Sequence, residues 1–175
     1  MNIVLIGMPG AGKSTVGVLL AKTLGYDFID TDIALSRQLG RTLQAYLDDK
    51  GTDAFLKAEE ETVLALDCSE TVIATGGSMV LSERAMAHLK RGSTTVFLDV
   101  PLIELEKRLK NIKTRGIALR PGQTLAALFD ERLPLYKMYA DLTLSDEAGE
   151  GLSPEDAVTR LIDMLGNDPG AHNHE

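Results

Sequence analysis

Short apolar runs alternate along this chain with stretches whose apolar residues recur at helical spacing. Ile3–Ile6, Asp27–Asp30, Thr71–Thr75, Thr94–Val100 and Leu142–Leu144 read as strands, and Thr15–Leu24 reads as an amphipathic helix. The alternation predicts an α/β fold with a roughly five-stranded parallel sheet flanked by helices, because parallel neighbours require long, usually helical, crossovers. Between residues 33 and 66 the pattern is helical but broken at Lys50-Gly51-Thr52-Asp53. That predicts two or three helices forming a subdomain beside the sheet, with Asp53 as N-cap of the second piece. Glu59-Glu60-Glu61 reads as a solvated face of that piece.

A chain of 175 residues has the length of one domain. Residues 1–166 are expected to form it, and the polar, Pro- and Gly-punctuated stretch 167–175 to be a frayed tail carrying His172 and His174. The net charge of −8 argues against a general binder of nucleic acid or membrane surfaces. Cys68 is the single cysteine, which excludes an intramolecular disulfide and suits a reducing cytoplasm; a buried structural thiol is its expected role. Lys107 to Gly122 reverses the overall charge with six basic residues, and is expected to be a mobile segment facing an anion.

The chemistry is concentrated in Gly7-Met-Pro-Gly-Ala-Gly-Lys-Ser14, a glycine, four free positions and Gly-Lys-Ser, lying between a predicted strand and a predicted helix. Glycines at 7, 10 and 12 let the backbone turn its N–H groups toward a polyphosphate, and the helix N-terminus adds its positive end. Gly10, Ala11, Gly12, Lys13, Ser14 and Thr15 are therefore the expected nucleotide-binding residues. Lys13 would reach the β- and γ-phosphates of a bound nucleotide, and Ser14 would offer its hydroxyl to Mg²⁺.

A phosphate loop alone does not separate a kinase from a switch or a motor. Asp30-Thr31-Asp32 ends the second predicted strand, at the edge where open parallel sheets bind ligands. One carboxylate could face Mg²⁺ and the other an acceptor hydroxyl; equally, both could be turn residues capping the next helix. Gly76-Gly77 could admit a ligand against the backbone or simply make a turn after a strand.

Chain size, the phosphate loop, Phe28-Ile-Asp30-Thr-Asp32, Phe55-Leu-Lys-Ala-Glu59, Thr75-Gly76-Gly77-Ser78 and Arg132-Leu-Pro-Leu-Tyr136 together resemble the shikimate kinase family. The resemblance implies a three-layer P-loop kinase fold, with ATP-Mg²⁺ as phosphoryl donor and a hydroxyl of a small polar acid as acceptor. It implies that Asp30 lies near the metal and that Asp32 accepts a hydrogen bond from the reacting hydroxyl. It implies that Gly76 and Gly77 bring amides against the acceptor and that Arg132 grips its carboxylate. Arg115 falls at the family's lid arginine, within a lid at about 110–124, and Arg108 at one that packs against adenine. A monomer is implied by the same likeness.

The chain departs from that pattern at three places. Leu56 stands where members usually carry an arginine that helps hold the acceptor carboxylate, Ser78 replaces the third glycine of a triplet, and the segment Thr114 to Thr124 lacks the usual lid arrangement. The donor-side machinery is largely intact, and the departures weigh mostly on the acceptor side. Shikimate remains the leading acceptor, with another hydroxy acid such as homoserine as the alternative. A nucleotide-binding regulator with a decayed acceptor site is the non-enzymatic alternative.

Overall fold

The computed structural model describes residues 1–109, 117, 122–145 and 152–166. Among these residues five strands form one parallel sheet: β1 (Asn2–Ile6), β2 (Asp27–Asp30), β3 (Thr71–Ala74), β4 (Ser93–Asp99) and β5 (Leu142–Ser145). Each strand matches its predicted run to within one residue at either end. The order is β2-β3-β1-β4-β5. In register, Leu5 lies between Ala74 and Val96, and Ile6 lies beside Phe97. Ile3 to Ile6 are at most 1% exposed, so β1 is apolar without alternation, as a strand covered on both faces must be.

Seven α-helices surround the sheet among the described residues: α1 (Lys13–Leu24), α2 (Thr31–Leu39), α3 (Leu43–Leu64), α4 (Glu83–Leu89), α5 (Leu102–Leu109), α6 (Leu125–Tyr139) and α7 (Pro154–Gly166). Leu5 reaches toward α1 at Gly17. Phe97 aligns with the neighbouring β1 residue and therefore points to the opposite face, where its ring stacks on Tyr136 of α6 at 5.1 Å. The helices thus form a layer on each side. After β1 the chain builds β2 and β3 on one side and then crosses to β4 and β5 on the other, leaving a crevice at the carboxyl end of β1.

Helices α2 and α3 pack on each other around their own small core of Leu35, Phe55 and Ala58, against which Leu43, Leu47 and Leu56 are laid. This is the predicted helical subdomain. Two local expectations change. The break in α3 is made by Gly51, whose φ of 80° lies where residues with a side chain rarely go, rather than by a cap at Asp53. The three glutamates do not share a solvated face: Glu61 is exposed, Glu60 is half-buried and bridges to Ser82 and Arg84, and Glu59 is only 5% exposed. Cys68 is half-buried rather than buried, because it sits in the loop before β3. Most of the predicted lid at 110–124, and all of the tail at 167–175, lie outside the described residues.

Candidate active site

The phosphate loop connects β1 to α1 and is held open by its glycines. Gly10 and Gly12 have φ of 82° and 92°, and Gly12 is the residue from which α1 departs. The Lys13 side chain curls back over the loop, its Nζ donating to the carbonyls of Gly7 and Met8, each at 2.8 Å. Lys13 is buried, while Ser14 and Thr15 at the first turn of α1 are exposed. A helix N-terminus, a cation and an open loop thus converge at one point, which is the arrangement that binds a polyphosphate.

Two cavities of about 410 Å³ each flank this loop, and Gly10, Gly12 and Thr15 line both. The first lies between the loop, the end of β4 and α5. Its wall includes Val100, Pro101 and Ile103, an apolar slot of a kind that accepts a planar ring. Arg108 also lines it; its Nε donates to Glu104 Oε1 at 3.0 Å, and its Nη1 lies 3.4 Å from the Gly10 carbonyl. The guanidinium is therefore fixed beside the loop.

The second cavity lies between the loop and the helical subdomain, and it gathers most of the residues singled out in the sequence. Lys13, Ser14, Asp30, Asp32, Gly76, Gly77 and Arg132 all line it. Asp30 ends β2 and caps α2, its Oδ1 accepting from the amides of Asp32 at 3.0 Å and Ile33 at 3.1 Å. The capping alternative for Asp30 is therefore realised, and one of its oxygens is committed to the backbone. Asp32, in the first turn of α2, is partly exposed on the cavity wall.

The turn after β3 is tied down on both sides. Thr75 Oγ1 donates to the Leu5 carbonyl at 2.9 Å, and the Gly76 amide donates to Thr31 Oγ1 at 3.0 Å. That bond corrects one expectation, since the Gly76 amide is spent on α2 and not directed at a ligand. Its lack of a side chain matters instead: a Cβ there would lie 2.5 Å from Glu59 Oε1 and 2.7 Å from Asp32 Oδ1. Two carboxyl groups from two helices therefore crowd the same point above the glycine.

Arg132 and Tyr136 sit one helical turn apart on α6, and both are buried. Tyr136 donates its hydroxyl to the Gly77 carbonyl at 2.6 Å, and burial raises the phenol far above its ordinary range, so it stays a donor. It anchors α6 to the glycine turn and thereby sets where Arg132 enters the cavity. Arg115 lies outside the described residues.

Sequence reasoning missed Glu59 as a residue of this cavity. Its carboxyl is pushed up to about 8, mainly by burial, with the Asp32 charge adding to the rise while Ser78 and Arg132 oppose it. Ser78 Oγ donates to Glu59 Oε2 at 2.5 Å. A signal was present: Phe55, Ala58, Glu59, Thr62 and Val63 form the buried stripe of α3, so Glu59 stands on the inward face. Leu56 does not line the cavity. It packs on the small core and borders a separate pocket of about 200 Å³ behind Glu59 and Ser78.

The shikimate kinase family model matches residues 9–165. A shikimate kinase of Thermobifida fusca is 40% identical over 164 residues, covering 93% of each chain. Human threonine synthase-like 1 is 36% identical over 166 residues, which cover 94% of this chain but 22% of that longer protein. Among solved structures, a shikimate kinase from Acinetobacter baumannii in complex with shikimate superposes with a TM-score of 0.85 at 31% identity, covering 96% of this chain and 94% of that one.

Proposed function

The chain belongs to the shikimate kinase family, and on that premise we propose that it transfers the γ-phosphoryl group of ATP to shikimate, giving shikimate 3-phosphate. The observation that carries the reading is the convergence of Lys13, Asp32 and a buried Arg132 on one cavity against the phosphate loop. A regulator with a decayed site would have little reason to keep all three in place.

ATP lies with its base in the slot beside Arg108 and its phosphates over Gly10 to Thr15. Lys13 leaves the Gly7 and Met8 carbonyls for the β- and γ-phosphates. The acceptor occupies the second cavity, where Arg132 takes its carboxylate through a planar fork of donors. Asp32 accepts a hydrogen bond from the reacting hydroxyl and orients it for in-line attack, taking its proton late. Gly76 and Gly77 keep the wall thin enough for the acceptor to approach. Arg115, from the lid at about 110–124, closes over the phosphates and counters the charge of the transferring group.

The Ser14 hydroxyl and the uncommitted Asp30 oxygen are hard donors on the same cavity wall as Lys13, a set that fits Mg²⁺ held directly or through water. Bound there, Mg²⁺ supplies charge neutralisation on the phosphates. Residues 1–166 act as one kinase domain in which α2 and α3, about 33–66, hold the acceptor. The protein works as a cytoplasmic monomer without nucleic-acid or membrane partners. The charge of −8 argues against nucleic-acid and membrane surfaces, the single cysteine suits a reducing compartment, and the monomer rests on likeness to the family.

The test is ADP release at saturating ATP-Mg²⁺ with shikimate beside a panel of hydroxy acids that includes homoserine. Turnover with shikimate at micromolar to millimolar KM is expected. Turnover confined to another acid would refute the acceptor assignment, and none with any acid would refute the kinase.

A further inference from the structure

Glu59 and Ser78 are two buried polar side chains on the acceptor cavity to which the reaction described above gives no work. They come from different elements, α3 and the turn after β3, and meet through one hydrogen bond of 2.5 Å from Ser78 Oγ to Glu59 Oε2. That bond turns the other oxygen, Oε1, toward Gly76, where it crowds the same point as Asp32 Oδ1. We propose that Glu59 and Ser78 form a positioning and specificity dyad in which Ser78 clamps Oε2 while Oε1 bears a proton and donates to the bound acceptor beside Asp32. The proposal rests on the shikimate kinase reading and deepens it.

The charges around Glu59 explain why the acid form matters. Asp32 approaches from α2, Arg132 and the neutral Tyr136 face it from α6, and Ser78 is its partner from the turn; Lys13 and Asp30 lie farther along the cavity wall. Position 56, one turn before Glu60 on α3, supplies no cation, because Leu56 is laid on the small core. In its acid form Glu59 leaves the Arg132 guanidinium to the acceptor carboxylate and leaves Asp32 ionised to receive the hydroxyl. Once ionised, Glu59 competes with the acceptor for Arg132 and adds a second negative charge beside Asp32. Binding of an anionic acceptor then weakens, while phosphoryl transfer from the bound complex changes less.

Burial holds the Glu59 proton to a pH of about 8, so the effect falls within an accessible range. For the wild type, KM for shikimate should rise about tenfold between pH 7 and pH 9, with a smaller change in kcat. For E59Q, which cannot ionise, the ratio of KM at pH 9 to KM at pH 7 should stay near one; the same comparison removes pH effects on ATP and on the coupling enzymes. S78A removes a donor that favours the ionised form, so its rise in KM should move to higher pH. A residue that serves only packing would not move that limb, and S78A keeps the test open if E59Q folds poorly. A flat wild-type KM, an equal rise in E59Q, or an unmoved limb in S78A overturns the dyad. Wild-type protein that never phosphorylates shikimate overturns the shikimate assignment on which the dyad rests, a result distinct from turnover with a flat KM.

Discussion

Replacing Glu59 by glutamine removes a proton-binding group from the interior while keeping its shape, and the folding stabilities of the two proteins must then diverge with pH. In the unfolded chain this carboxyl titrates near 4.5, and in the folded protein near 8. Between those values the folded state holds a proton that the unfolded state has released. Stability therefore falls as pH rises, by about 1.4 kcal/mol for each pH unit. Because the folded value is the higher one, the wild type has its best stability relative to E59Q below pH 4.5. It loses ground up to about pH 8 and runs parallel above. The full divergence has a ceiling of about 5 kcal/mol, a large part of the ~5–15 kcal/mol by which domains are stable. Urea denaturation of both proteins from pH 5 to pH 9 measures the difference, and titrating groups not coupled to Glu59 cancel in it. A difference that stays constant across this range, or a wild type that gains on E59Q as pH rises, would refute the burial argument for Glu59.

Other substitutions probe the rest of the site. Lys13→Ala should cut kcat by orders of magnitude in steady-state assays, since it removes the cation at the phosphates. Asp32→Asn should abolish turnover while ATP affinity by calorimetry stays near normal; substantial residual activity would sink its role at the hydroxyl. Gly76→Ala must displace the Glu59 and Asp32 carboxyls by most of an ångström and should lower kcat/KM for shikimate by about 10²-fold. Tyr136→Phe deprives the Gly77 carbonyl of its donor and should cost about 1–3 kcal/mol by denaturant titration, with KM for shikimate rising as α6 loosens its hold on Arg132.

The strands and the phosphate loop were legible because their determinants are local. A run of β-branched residues, three glycines at fixed spacing and a following amphipathic stretch need no knowledge of distant contacts. The strand order was not readable that way, since nothing within Thr71–Ala74 says that it inserts between β1 and β2. Glu59 was misread because a charge run is ordinarily solvated, and here the stripe of α3 outweighed the charge by neutralising it. The Gly76 amide was misassigned because its partner, Thr31 Oγ1, is 45 residues away in sequence. Arg132 was found only through a family likeness; a lone arginine on a helix carries no local mark that it is buried. Leu56 could be identified as a departure, but its use in the small core of the subdomain emerges only when α2 and α3 are seen together.

The two cavities that meet at the phosphate loop have a consequence for ligand design. Because Gly10, Gly12 and Thr15 border both, a single molecule could carry a flat heteroaromatic head, an anionic bridge and a carboxylated ring in one piece. Once the head has docked, the ring would search a volume set by its tether, so its effective concentration reaches the millimolar range with a short linker. Selectivity for this enzyme over kinases that share the loop would come from the ring end, where Glu59 and Ser78 shape the wall.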